Sequence, residues 1–153
     1  YYYFISLIVV TLDQWTKNLA VSKLADGFVK VTDFFSLILA YNKGAAFSFL
    51  SDAGGWQRWF FTAIAAVVSA ILVVWIYRLK PHEKLLGIAL ALVLGGAIGN
   101  LYDRVMLGHV VDFILVHYQD NYFPAFNIAD SAISAGAALL ILDAFLQGKK
   151  SSE

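Results

Sequence analysis

The 153-residue chain contains no cysteine, two prolines and one methionine, and only 14% of its residues are charged. Without cysteine there can be no disulfide, thiolate metal ligand or thiol nucleophile, and the redox compartment is left open. Lys plus Arg and Asp plus Glu number 11 each. No net field therefore exists to gather nucleic acid or an anionic surface, and no nucleic-acid partner is expected. Ordinary soluble domains are about 25% charged and about 45–50% apolar; this chain is 60% hydrophobic and falls outside that class. The lone methionine is Met106, so the chain as given is expected to begin after its natural start. Residues 1–26 lack the short apolar core and small-residue cleavage site of a removable leader.

What is present in their place is long apolar sequence. From Trp59 to Tyr77 there is no charged residue, and as a helix this stretch is about 28 Å long, close to the roughly 30 Å hydrocarbon core of a bilayer. Trp56 and Trp59 at one end and Trp75 and Tyr77 at the other occupy the places of interface anchors. After the hinge RLKPHEK, whose Pro81 stops the first helix, a second charge-free run extends from Leu85 to Tyr102. Two further stretches, 2–22 and 127–146, are apolar apart from a few polar residues, among them Asp13 and Lys17 in one and Asp130 and Asp143 in the other. The expectation is an α-helical integral membrane protein forming one domain over 1–153, with four transmembrane helices at about 2–22, 57–77, 85–102 and 127–146 and both termini on one side. Arg78, Lys80 and Lys84 in a short loop, with Lys149 and Lys150 at the end of the chain, assign that side to the cytoplasm.

The outer connections have their own pattern. Val29, Val31, Phe35, Leu37 and Leu39 alternate with Lys30, Thr32 and Ser36, a strand-like period of two that ends at Asn42, Lys43 and Gly44. A small extracytoplasmic β region at about 28–52 is expected. The other outer connection, 103–126, carries Gly108 and Pro124 as breakers.

Ionisable residues at membrane depth cost about 2.5–3.5 kcal/mol each, and here they cluster. Asp13 lies on the first helix, Asp103 follows the third, Asp112 interrupts the apolar run VVDFILV, and Asp130 opens the fourth. Each except Asp112 has a plain structural account. Asp13 and Lys17 form an i, i+4 pair, Asp103 and Arg104 a helix-end pair, and Asn127 with Asp130 has the spacing of a capping box. Two carboxyls sharing a poorly solvated boundary would not both ionise, which supplies one general acid and one general base. His82, His109 and His117 lack metal-site spacing, and no serine sits in a nucleophile motif. Gly95, Gly96 and Gly99 make a small-residue face for close helix packing, and Asn100 can turn its amide into the bundle.

Five motifs in order, LDQWTK at 12–17, NKGAAFS at 42–48, GGAIGNLYDRV at 95–105, VVDF at 110–113 and FNIADS at 126–131, closely resemble those of the bacterial lipoprotein signal peptidases (signal peptidase II). The resemblance implies an intramembrane aspartyl endopeptidase of the bacterial inner membrane, with its site near the periplasmic face. It implies four transmembrane helices with a periplasmic β-cradle and a short periplasmic helix. The catalytic pair then falls on Asp112 and Asp130, with supporting positions at Asp13, Lys17, Asn42, Gly44, Asn100, Asp103, Arg104, Asn127 and Ala129. The implied partners are membrane lipid and a prolipoprotein cut before its diacylglyceryl-modified cysteine. No cofactor or metal and a monomeric enzyme are expected. Two rivals use clustered aspartates differently: a small proton-coupled carrier, and a metal-dependent lipid-headgroup transferase.

Overall fold

The computed structural model describes residues 1–25, 27–44 and 54–150. Among the described residues, four long helices and four strands follow in the order α1 (Tyr2–Lys23), β1 (Val29–Lys30), β2 (Phe35–Asn42), α2 (Trp56–Tyr77), α3 (Lys84–Met106), β3 (Val110–Tyr118), β4 (Asn121–Tyr122) and α4 (Ile128–Lys150). Three helices, α2, α3 and α4, are long and apolar enough to cross a membrane. α1 has the same length as α2, with an outward face of Phe4, Leu7, Leu12, Trp15 and Leu19, and it turns Asp13 and Lys17 inward to full burial. Its polar residues thus contact protein, as depth in a bilayer requires.

α3 is the hub. Its buried residues occur on nearly every turn from Leu86 to Asp103, whereas α2 exposes Trp59, Phe60, Ile64, Val67, Ile71 and Val74 to the outside. Helices in lipid gain no hydrophobic drive toward one another and rely on close backbone approach, which the glycines of α3 provide. A Cβ on Gly95 would lie 2.6 Å from Val9 Cβ of α1, and one on Gly96 would collide with the Ala129 carbonyl of α4. One on Gly99 would lie 2.5 Å from Asp13 Oδ2.

α3 runs on to Met106, so Asp103 lies within the helix and does not follow it. No breaker intervenes before Gly108, whose φ of +80° turns the chain into β3. The sheet order is β1-β2-β3-β4, all antiparallel. The alternating stretch at 29–40 is divided: Val31 and Thr32 N–H both donate to the Phe35 carbonyl, closing a tight turn between β1 and β2. β2 and β3 pair with Ala40 opposite Asp112 and Asn42 opposite Val110, and a bulge separates Leu37 from Ala40. A bridge between Ile114 and Phe126 ties β3 to the residues just before α4. The β region expected at 28–52 is thereby located between Val29 and Asn42; its remainder, 45–52, lies outside the described residues, as does most of the NKGAAFS motif. Among the described residues there is no short helix in the outer connections.

Candidate active site

The four clustered acids meet where α1, α3, β3 and the start of α4 converge. At the centre is Lys17, 2% exposed, whose Nζ lies 2.7 Å from Asp13 Oδ2 and 2.9 Å from Asp103 Oδ2 and donates to Asn100 Oδ1 at 3.1 Å. The i, i+4 pair read from the sequence is present, and it is one edge of a buried triad. Asp103 does not pair with Arg104. Adjacent helix residues diverge around the axis, and Asp103 turns inward to Lys17, Gln14 and β3. Gln14 Nε2 donates to Asp103 Oδ1 at 2.9 Å, a contact for which the sequence offered no signal beyond a polar residue in an apolar run.

Each triad carboxylate holds one backbone amide. Asp13 Oδ1 accepts the Ala129 N–H at 2.8 Å, next to Asp130, and Asp103 Oδ2 accepts the Val111 N–H at 3.0 Å, next to Asp112. Lys17 therefore joins, through two acids, the two backbone segments that carry Asp112 and Asp130.

A second bracket acts on those two side chains. The Asp130 N–H donates to Asn127 Oδ1 at 2.8 Å and the Asn127 N–H to Asp130 Oδ2 at 3.3 Å, forming the reciprocal capping box at the start of α4. The other end of the same amide leaves the helix: Asn127 Nδ2 donates to Asp112 Oδ1 at 2.9 Å and to Asn100 Oδ1 at 3.2 Å. Asn100 Nδ2 completes the circuit by donating to Asp130 Oδ1 at 2.8 Å. Asn42, on the strand paired with that of Asp112, lies close enough to oppose the rise in its pKa, while its Oδ1 accepts the Gly44 N–H at 2.8 Å. Gly44 has φ +93°, and a side chain there would strike the Phe61 ring.

Asp112 is 3% exposed. Burial, reinforced by the nearby Asp130 charge, pushes its carboxyl from 3.8 up to about 7, against the opposing influence of Asn42, Lys17 and the Asn127 amide. Asp130, half-buried at a helix N-terminus, accepts from the Asn100 amide and from the Asn127 backbone N–H. Arg104 stands within electrostatic reach of Asp130, Asp103 and Asp112, with its guanidinium 5.8 Å over the Phe61 ring.

The remaining candidates lie apart. Asp143 accepts from Gln147 Nε2 at 2.6 Å further along α4. His117 is buried on β3 with its Nε2 2.8 Å from Ser36 Oγ, and His109 packs on Tyr41 with ring centroids 4.3 Å apart. Among the described residues, no three His, Asp or Glu side chains form a group that could hold a metal ion.

Comparison with known proteins agrees with this architecture. The family model described as signal peptidase (SPase) II matches residues 5–146. The lipoprotein signal peptidase of Pseudomonas putida (strain KT2440) is 61% identical over 153 residues, covering 97% of this chain and 88% of its own. That of Pseudomonas aeruginosa (strain UCBPP-PA14) is 62% identical over 152 residues, covering 97% and 89%. A bacterial membrane enzyme solved by the in meso method at 2.3 Å resolution superposes with a TM-score of 0.81 at 32% identity, over 98% of this chain and 90% of that one. A second such enzyme, solved at 1.9 Å, gives 0.78 at 34% identity.

Proposed function

The chain belongs to the signal peptidase II family, aspartic peptidases of the bacterial inner membrane that remove signal peptides from prolipoproteins, and we propose that Asp112 and Asp130 are its acid–base pair. The observation that carries the assignment is the double amide bracket. Asn127 Nδ2 holds Asp112 Oδ1 at 2.9 Å, Asn100 Nδ2 holds Asp130 Oδ1 at 2.8 Å, and the two amides bond each other. Two carboxyls fixed on one bracket in a buried corner supply the division of labour of an aspartic peptidase.

Asp112, with its carboxyl raised to about 7, holds the proton at rest, and Asp130 serves as the base. Asp130 takes a proton from a water between the two acids, and the oxygen attacks the scissile carbonyl. Asp112 gives its proton to the carbonyl oxygen, so a neutral gem-diol forms. On its collapse Asp130 protonates the leaving amine and Asp112 recovers a proton from the diol, which restores the starting state. Arg104 and the Asn100 and Asn127 amides stand ready to stabilise the polarised oxygen. Lys17, Asp13 and Asp103 position the backbone on either side, with Ala129 as the contact point on α4. Asn42 and Gly44 close the corner from the sheet.

The substrate is a prolipoprotein cut before a diacylglyceryl-modified cysteine, with its acyl chains left in lipid while its backbone enters beneath the sheet. The enzyme acts as a monomer of one domain, with α1 as a fourth span, the termini in the cytoplasm and the site near the periplasmic face. The Arg78, Lys80 and Lys84 loop, opposite the sheet, supports this orientation. The carrier alternative has no support. The acids gather at the sheet end of the bundle and do not line a path across it, and Asp143, further along α4, bonds only its neighbour Gln147 among the described contacts.

Replacing Asp112 or Asp130 with Asn and following cleavage of a purified diacylglyceryl prolipoprotein peptide tests the assignment. A loss of at least about 10³-fold in kcat is expected for each, since each substitution removes one of two proton-transfer groups. Near-normal turnover in either folded variant would refute it. Cleavage should also persist in excess chelator; activity lost there and restored by magnesium would favour the metal-dependent transferase reading.

A further inference from the structure

Lys17 is not alone in bridging the two triad acids. Gln14, the half-buried neighbour of Asp13 on α1, directs its Nε2 to Asp103 Oδ1 at 2.9 Å, to Asp13 Oδ2 at 3.2 Å and to the Gly99 carbonyl at 3.2 Å. We propose that Gln14 is a positioning residue for the cleavage reaction: by fixing the plane of the Asp103 carboxylate it sets the place of the backbone that carries Asp112. This inference rests on Asp112 and Asp130 being the acid–base pair.

The surroundings of Gln14 dictate which way its amide points. Its three partners, two carboxylate oxygens and a backbone carbonyl, are all acceptors. An oxygen in place of the Nε2 would meet only other oxygens, so the NH2 end alone fits. Two N–H groups serve three acceptors, and the shortest contact is the one to Asp103. The Gly99 carbonyl, one helical turn before Asp103 on α3, holds the amide level with that carboxylate. A glutamine also suits the charge of the cluster, because it gives donors to both acids without adding a second cation beside Lys17.

The consequence lies in how Asp103 is held. Its Oδ2 takes both Lys17 Nζ at 2.9 Å and the Val111 N–H at 3.0 Å, whereas its Oδ1 is bonded by Gln14 alone among the described contacts. The terminal torsion of an aspartate is broad and roughly two-fold. A donor on one oxygen leaves the group free to turn, while donors on both oxygens fix its plane. Asp103 is 1% exposed, so water does not replace a lost donor, and an unpaired buried oxygen draws the carboxylate toward another partner. The Val111 N–H then loses an aligned acceptor. That bond ties the start of β3 to α3, and the next residue is Asp112.

The test uses the full chain in detergent with the diacylglyceryl prolipoprotein peptide, at a temperature where circular dichroism shows each variant folded. Gln14→Met keeps the reach of the side chain and removes its donors. Its kcat should fall about tenfold with KM within about twofold of the parent, the scale of losing one hydrogen bond to a charged group. Thr16→Val is the control, because the Thr16 hydroxyl bonds only carbonyls of its own helix among the described contacts; its kcat should stay within about twofold of the parent. A residue that acts through Asp103 gives losses that do not multiply, so adding Gln14→Met to Asp103→Asn should lower kcat no further than Asp103→Asn alone. Hydrogen exchange at the start of β3 should be about tenfold faster in Gln14→Met, since the Val111 N–H has lost its fixed acceptor. Parent-like kcat in folded Gln14→Met, an equal loss in Thr16→Val, multiplied losses in the double variant, or unchanged exchange at β3 would each overturn the proposal. Asp112→Asn and Asp130→Asn test the acid pair without touching Gln14, and hydrogen exchange follows the link from Gln14 to β3 without any chemistry, so the two readings fail separately.

Discussion

Replacing Lys17 with Met removes the charge at the centre of the triad while keeping a side chain of similar reach. An ammonium has three donors, and all three are engaged, at 2.7 Å to Asp13, 2.9 Å to Asp103 and 3.1 Å to Asn100. The variant leaves two carboxylates, 0% and 1% exposed, facing each other without a cation. Breaking a buried pair in this way costs about 3–5 kcal/mol. The protein can escape only by protonating an acid, and at pH 7 holding a carboxyl of ordinary pKa about 3.9 in its acid form costs about 4 kcal/mol. Both routes lead to a similar loss, equivalent to about 8–16 °C in Tm for a chain of this size.

Thermal unfolding in detergent, followed by the fluorescence of the four tryptophans, measures it. The triple variant Asp13→Asn, Lys17→Met, Asp103→Asn should recover most of the loss, because Asn side-chain oxygens can still accept from Ala129 and Val111 while no net charge remains buried. At a temperature where Lys17→Met is still folded, its kcat should fall about 10²-fold with little change in KM. The two amides it steadies adjoin Asp130 and Asp112, and a misplacement of about 1 Å at reacting groups has an effect of that size. A Tm within about 2 °C of the parent, or a triple variant no more stable than Lys17→Met, would refute the triad as the support of the site.

Three further outcomes follow from the same geometry. Burial and Asp130 raise Asp112 from 3.8 to about 7, so between those values the native chain holds a proton that the unfolded chain has released. This group's contribution to stability is therefore most favourable below about pH 4 and fades as pH rises to about 7, and turnover should decline above about pH 7. In Asp130→Asn the protonated-carboxyl infrared band of Asp112 should titrate at lower pH, and an unchanged midpoint would contradict the charge coupling. Gly99→Ala places a Cβ 2.5 Å from Asp13 Oδ2 and should destabilise by about 1–3 kcal/mol, read as a lower Tm; wild-type stability would show that α1 and α3 can separate without loss. Asp143→Asn should leave turnover within about twofold of the parent, since the Asp143 side chain bonds only Gln147 among the described contacts; a loss like that of Asp112→Asn would give it a role in the chemistry.

What could be read from the sequence was whatever sits at a local spacing. The Asp13 and Lys17 pair is one helical turn apart, the Asn127 and Asp130 box is three residues apart, and the glycines of α3 recur on one face, so local geometry alone announces each. The partners those residues recruit from elsewhere were not legible. Asp103 was read with its neighbour Arg104, because nothing local indicates that α3 continues past Tyr102 and turns that carboxylate toward Lys17, 86 positions earlier. Gln14 is one more polar residue in an apolar run, and its bond to Asp103 exists only once α3 is packed against α1.

Asn127 joins both kinds of information in one side chain. Its Oδ1 caps α4, a role its spacing declares, and its Nδ2 reaches Asp112 on a strand 15 residues back, a role that depends on the bridge between Ile114 and Phe126. An amide has one orientation that serves both ends, so the helix cannot start elsewhere without releasing Asp112. The separation of the two acids is thereby tied to the first turn of α4. On the proposed assignment of Asp112 and Asp130, that link gives a structural cap a place in the chemistry, so capping and catalysis need not compete for Asp130.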